Sequence, residues 1–411
     1  MTFNQKHWFW ALVMGLALAI MAVPAFAQDE DDCDNEDPPE CDPCEEECDD
    51  SEGANRFEVY SGNVKRSVTD LRMAIQIGEH PLVFSRMHSS RSAWAVQTRS
   101  DFVFGRAGNW RHSHQWTILD DGEVNGCQSL QIIAPNGRVN YYGKKSTNDL
   151  FMTYLPGTHS RVWPDGSTNF YLYHLDGTKY HITQGGNVSN KTFRMEGFWD
   201  AYSNWYAYAY GDDGYLARVT GPNTNHFFEL EYRDLEGAVP PGWVRFSYTN
   251  DQAAEVLLPG TWNDWTGTQT PMQTNSAGVW EADVELGEGF YEYKFAVRNS
   301  GSGTWQLVAD PDNPLTVGPN SNSLAVVSRE RIIARVSAGD GRHVDYVYDW
   351  DWNEGQKALA MRLREAQYGV GESARYDYYP AAHDQYRGML LKSADDPHLS
   401  GMARAISYTY H

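Results

Sequence analysis

The segment LPGTWNDW, residues 258 to 265, places two tryptophans three positions apart beside a glycine and an asparagine. Asn263 and Asp264 lead into Trp265, a polar setting that reads as a turn rather than as core. An indole held open at a turn offers a flat apolar face with a polar edge. That shape suits a pyranose, which shows axial C–H groups on one face and hydroxyls around its rim. A platform edged by donors and acceptors would complete such a site. The alternative is that these rings fill a core.

Other groupings of reactive residues carry less. Asp395-Asp396-Pro397 joins two carboxylates in sequence, but adjacent residues of a strand or turn point apart, and a dipeptide ahead of proline suits a turn. His112-x-His114 would put two imidazoles on one strand face, where they could hold a metal. No third ligand is near, so the expectation is two histidines with protein partners. Cys41-x-x-Cys44 has half the spacing of a zinc site and lacks the second pair. Neither a G-x-S-x-G elbow nor a phosphate-cradling glycine loop occurs in the sequence. The reading is therefore of a binding protein with no catalytic residue, no metal and no cofactor.

The elements that must position Trp265 are strands. Aromatics make up 14% of the chain, with 25 Tyr and 15 Trp against 16 Phe, residues that suit pleated, half-wet surfaces. Period-two alternation dominates residues 55 to 250. Asp176-Gly177 and Asn136-Gly137 each fall between two alternating runs and predict hairpins. Two hairpins echo one another across more than a hundred residues, LARVTGPNTNHFFELEYRD (216 to 234) and IARVSAGDGRHVDYVYD (333 to 349). A unit that recurs without a core of its own implies stacking of neighbours into a continuous sheet. On these segments, with GNVKRSVTDL (62 to 71), FGRAGNW (104 to 110) and LKSADDPHLSGMARAISYTY (391 to 410), the chain resembles the YD or RHS repeat family of secreted β-shells. The resemblance implies an all-β fold of antiparallel hairpin repeats over 55–252 and 328–411. It also allows the rival reading of a toxin or adhesin shell.

Between the two echoing hairpins the pattern changes, and residues 253–327 have the length and strand spacing of a small β-sandwich. VLLPGTWNDW, GVWEADVELGEGFYEYKF, ADPDNP and NSNSLAVV, in that order, resemble the glycogen-binding domain of the AMP-activated protein kinase β subunit. That domain is carbohydrate-binding module family 48, with an early-set immunoglobulin-like fold. The resemblance implies that Trp265 and Trp305 stack on glucose rings and that Lys294 and Asn322 bond sugar hydroxyls, with an α-glucan polysaccharide as partner. It implies also that Trp262 and Trp280 are core. Two departures stand out: extra residues flank Trp305, and Gly318 replaces an apolar side chain expected against the sugar. Because such modules accompany glycosidases, a carbohydrate-active enzyme is a weaker alternative. It would need a carboxylate pair about 5 to 10 Å apart in a cleft.

The chain opens with Lys6, an apolar run from Trp8 to Val23 and Ala25-Phe26-Ala27, the pattern of a secretory signal over residues 1–27. The expected location is secreted or cell surface, with no transmembrane segment in the mature chain. Residues 28–54 form an acidic leader with 15 carboxylates and no basic residue, too poor in hydrophobes to order itself. It holds Cys33, Cys41, Cys44 and Cys48, which could close two disulfides in three connectivities, while Cys127 stands alone. The formal net charge of −22 is thus largely local, and nothing resembles the basic stripe of a nucleic-acid binder.

Overall fold

A computed structural model of the chain describes residues 55–58, 63–73, 80–90, 102–105, 109–124, 127–143, 160–166, 168–185, 192–266, 270–275, 278–301, 303–353, 358–369, 371–379, 391–395 and 405–407. The expected signal, the acidic leader with its four cysteines, Asp396 and the side chain of Cys127 lie outside these residues. The fold is all-β: among the described residues there is no α-helix, and no helix is long and apolar enough to cross a membrane.

Sixteen strands form one sheet. Its central run is a meander in which strands consecutive in sequence pair antiparallel, from Arg161–Asp165 to Phe227–Asp234. Both predicted hairpins form. Asn169–Tyr173 pairs with Lys179–Gln184 around Asp176-Gly177, and Cys127–Ile133 pairs with Val139–Gly143 around Asn136-Gly137. In each turn the Asx side chain accepts a backbone N–H two residues on, from Thr178 at 2.8 Å and Arg138 at 3.0 Å. The two echoing hairpins lie side by side, because Phe227–Asp234 pairs directly with Arg331–Ala338.

A structural unit recurs along this sheet. At Tyr210, Tyr232, Tyr348 and Tyr378 the register slips by a bulge just before the tyrosine. Each phenol then donates across its hairpin to a backbone carbonyl, of Met195, Leu216, Ile333 and Leu363 respectively, at 2.7 to 2.9 Å. A bulge re-aims the side chain that follows it, and a buried hydroxyl needs a partner. Burial raises the pKa of all four phenols, which keeps them donors.

A second sheet of four strands, Asn55–Glu58, Asn63–Arg72, Val83–Ser89 and Trp110–His112, packs on the large one. Leu71, Phe84 and Trp110 from it share a core with Phe228, Val336, Tyr346 and Tyr376. At the centre Asp70 is buried with Arg86, whose Nε and Nη2 reach its carboxylate at 2.5 and 2.8 Å, and the hydroxyls of Tyr346 and Tyr368 donate to it at 2.7 and 2.9 Å. The large sheet's phenols thus complete the carboxylate's acceptors, while the guanidinium, whose Nη1 has no hydrogen-bond partner, lies 5.2, 5.5 and 5.3 Å from the ring centres of Trp110, Tyr346 and Tyr376.

The intervening segment is a sandwich. Gly242–Thr249 pairs with Val279–Leu286, and Ala253–Leu257 with Phe295–Asn299. Phe246, Trp280, Val256, Phe295 and Val297 of these strands pack in one core. Gly289–Tyr293 pairs with Asn322–Val327, which also receives Ala238–Val239 in parallel. This corrects the expected boundary at 253. Residues 242 to 249 alternate like the repeat strands before them, but their partner strand lies inside the insert. The sandwich is seated on the large sheet through Leu315, Leu324 and Val326, which cluster with Ile332 and Met361 and with the half-buried Trp350 and Trp352.

Candidate functional site

The turn in LPGTWNDW sorts its two tryptophans. Thr261–Asn263 forms a single 3-10 turn. Trp262 goes inward, its ring 5.2 Å from Phe246 and 6.2 Å from Tyr293. Gly260 is required by that packing, since a Cβ there would stand 2.6 Å from the Trp262 ring. Asn263 is buried and fastens the turn: its Oδ1 accepts the Gly260 N–H at 2.9 Å, and its Nδ2 donates to the Leu258 carbonyl at 3.0 Å and to Thr270 Oγ1 at 3.1 Å. The Thr266 hydroxyl donates to the Asn263 carbonyl.

Asp264 and Trp265 then both take left-handed backbone, at φ 52° and 60°. For a bulky side chain this conformation costs about 1–2 kcal/mol. It is held by the Trp265 N–H, which donates to the Gly260 carbonyl at 2.9 Å. The result is an indole turned outward and 38% exposed, against 7% for Trp280 in the core. Strain of this kind persists where the surroundings over-determine it, and it gathers at ligand-binding positions.

Trp265 borders a groove of about 630 Å³ lined also by Thr261, Glu292, Lys294, Leu307, Pro319, Asn320 and Asn322. Three of the four expected residues therefore meet. The Lys294 backbone N–H donates to the Pro259 carbonyl at 3.1 Å, and its Nζ donates to the Asn320 carbonyl at 2.6 Å, which aims the ammonium along the groove. Asn322 Nδ2 donates to Glu292 Oε2 at 2.7 Å. A carboxylate only accepts, so this bond fixes the amide's orientation. One of the two amide N–H groups of Asn322, a residue expected to bond sugar hydroxyls, is thus engaged by the protein.

Trp305 is 40% exposed but does not line the groove. The Arg298 guanidinium lies 5.3 Å from its ring, and Arg298 is itself bonded to Glu255. Extra residues flank Trp305 in sequence, and the side chain that reaches the groove from this edge is Leu307, 62% exposed on the strand Gln306–Val308. Leu307 and Pro319 supply apolar surface near the position where Gly318 offers none. Glu292 and Leu307 went unnoticed in the sequence, although each stands two residues from a candidate, Lys294 and Trp305, on an alternating segment.

The ADPDNP loop is a latch for this edge. Tyr293 donates to Asp310 Oδ2 at 2.5 Å and accepts from Asn313 Nδ2 at 3.1 Å, while Asn313 also donates to the Leu324 carbonyl at 2.9 Å. Burial, reinforced by Asp310, raises the Tyr293 pKa and keeps the phenol a donor.

The described members of the other groupings have protein neighbours. His112 stacks on Phe84 with centroids 5.1 Å apart. His114 Nε2 meets the Val83 carbonyl at 2.9 Å, so it must donate, leaving Nδ1 to accept from the Tyr208 hydroxyl at 3.2 Å. Among the described residues no group of three or more His, Cys, Asp or Glu is placed to hold a metal. Asp395 is an exposed strand residue paired in register with Arg375.

Comparison with known proteins agrees with the geometry of the insert. Residues 232–312 match the family of carbohydrate-binding module 48 (isoamylase N-terminal domain), so a module of this family is present there. The 1,4-alpha-glucan branching enzyme GlgB of Nitrosospira multiformis is 32% identical over 111 residues, which cover 26% of this chain and only 14% of that enzyme. Among solved structures, the crystal structure of TcdB2-TccC3 aligns with 80% of this chain and 17% of that chain, at 11% identity and a TM-score of 0.37.

Proposed function

We propose that this chain binds α-glucan polysaccharide through the groove at Trp265 and performs no chemistry on it. The observation that carries the reading is the meeting of Trp265, Lys294 and Asn322 in one groove, the first two of them on the segment 232–312 that matches a carbohydrate-binding module. The polymer is chosen because a similar segment occurs in a 1,4-alpha-glucan branching enzyme. Trp265 supplies the flat apolar face, Lys294 donates from one side, and Leu307 and Pro319 extend the apolar floor. If the indole loses about 100 Å² of apolar surface at ~25 cal/mol/Å², it contributes about 2.5 kcal/mol before ordering costs. One ring gives weak binding, so useful retention comes from many sites along a polymer.

The remaining large sheet is, on this reading, a YD or RHS-type scaffold, supported by the repeated bulge-and-tyrosine hairpin. The signal-like pattern of residues 1–27 supports a secreted or surface location. Affinity electrophoresis of the full chain in gels containing glycogen tests the reading. The wild type should be retarded and Trp265→Ala should not; equal mobility of the two would make the sandwich a structural insert. Incubation with glycogen should leave its chain-length distribution unchanged, and any change would mark the chain as an enzyme.

A further inference from the structure

We propose that Glu292 is a ligand contact that sets the charge class of the sugar, so that neutral oligosaccharides are accepted and phosphorylated glucans are refused. The inference rests on the sugar-binding reading above. Glu292 lines the groove together with Trp265 and Lys294. It is 6% exposed, and Asn322, 8% exposed, bonds its Oε2 at 2.7 Å. The carboxylate is therefore aimed by a second buried side chain rather than left to swing.

An ionised carboxylate accepts hydrogen bonds and donates none, whereas every sugar hydroxyl brings a proton. A charge-assisted bond of this kind is roughly twice as strong as a neutral one. The Lys294 ammonium is held by the Asn320 carbonyl at 2.6 Å and offers its other N–H groups as donors. A neutral pair of hydroxyls completes both ends, one donating to Glu292 and one accepting from Lys294. A phosphate dianion brings acceptors and negative charge to a carboxylate that the protein has largely withdrawn from water, where repulsion is less screened. Glu292 thereby selects by charge, and Asn322 is its positioning residue as well as a groove residue.

The test is a calorimetric titration of the full chain with maltoheptaose and with maltoheptaose phosphorylated on C6 hydroxyls, using wild type, Glu292→Gln, Glu292→Asp and Trp265→Ala. Wild type should prefer the neutral sugar by about tenfold, the effect of roughly one unscreened charge contact in a partly wet site. Glu292→Gln should bring the ratio close to one, and Glu292→Asp, which keeps the charge, should preserve the preference. A wild-type ratio at or below one overturns the proposal whatever the variants do. If Trp265→Ala abolishes binding while Glu292→Gln leaves the ratio unchanged, the sugar site stands and Glu292 is not its charge filter. If wild type binds neither sugar, the reading and the inference fall together.

Discussion

Aromatic rings serve two ends in this molecule. On the face of the large sheet turned from the core, rings cover one another. Tyr171 stacks on His181 with centroids 5.0 Å apart and planes 18° from parallel, and Trp199 meets Trp205 at 4.3 Å. Lys179 Nζ lies 4.0 Å from the centre of Tyr171 and 5.1 Å from that of Trp199. Tyr173, Lys179, Trp199 and Trp205 are register partners across four strands, so cross-strand pairing and cation–π attraction account for the row. In the sandwich the turn at 260–265 packs the half-buried Trp262 against the core and turns Trp265 outward, and among the described residues no other ring stacks on Trp265. An abundance of indole is therefore no sign of a ligand. The proposed site rests instead on an indole whose face is kept open by a left-handed, hydrogen-bonded backbone.

The contrast is broken most forcefully inside the turn itself. Trp262→Ala should cost about 3–5 kcal/mol of stability, the range for emptying a large aromatic from a core, as read by denaturant unfolding. Trp265→Ala, three positions on, should leave unfolding nearly unchanged and weaken maltoheptaose binding by about 2.5 kcal/mol, roughly 70-fold. Equal effects of the two on stability would erase the distinction between them.

Acid should act on the sheets through two buried histidines. Burial holds the His114 pKa at about 4, and burial with His114 and Arg111 nearby lowers that of His112. The unfolded chain takes up these protons near pH 6.5, before the folded chain does. Stability is therefore complete above pH 6.5 and falls as pH drops toward 4, by about 1.4 kcal/mol per pH unit for each histidine. Melting at pH 7.5, 6 and 5 measures the slope, and His114→Gln should flatten it.

Smaller effects sharpen the same comparison. Trp199→Ala should remove about 0.5–1.5 kcal/mol of cross-strand stacking and leave glucan binding untouched. Trp305→Ala should alter binding less than threefold, because the ring lies under Arg298 and outside the groove.

Much of this was legible in the residues. Alternation around Asp176-Gly177 and Asn136-Gly137 specified hairpins, and the echo between the 216–234 and 333–349 segments implied a continuous sheet, although their direct pairing is seen only in the structure. That Trp265, Lys294 and Asn322 would come together was legible because each sits in a local motif of the insert. Gly242–Thr249 was misplaced because alternation reveals that a strand exists and not which strand pairs with it. The place of Trp305 outside the groove was hidden for a related reason: whether a ring beside an edge strand reaches a groove depends on the loops around it. The linkage of Asn322 to Glu292 joins residues far apart in sequence, and only the pairing of Gly289–Tyr293 with Asn322–Val327 brings them together.

The central claim is tested most directly by titrating maltoheptaose into the full chain as wild type, Trp265→Ala and Trp305→Ala, at a pH where all three are folded. Binding should be lost with Trp265 and retained with Trp305 replaced. Undiminished binding by Trp265→Ala would contradict the account.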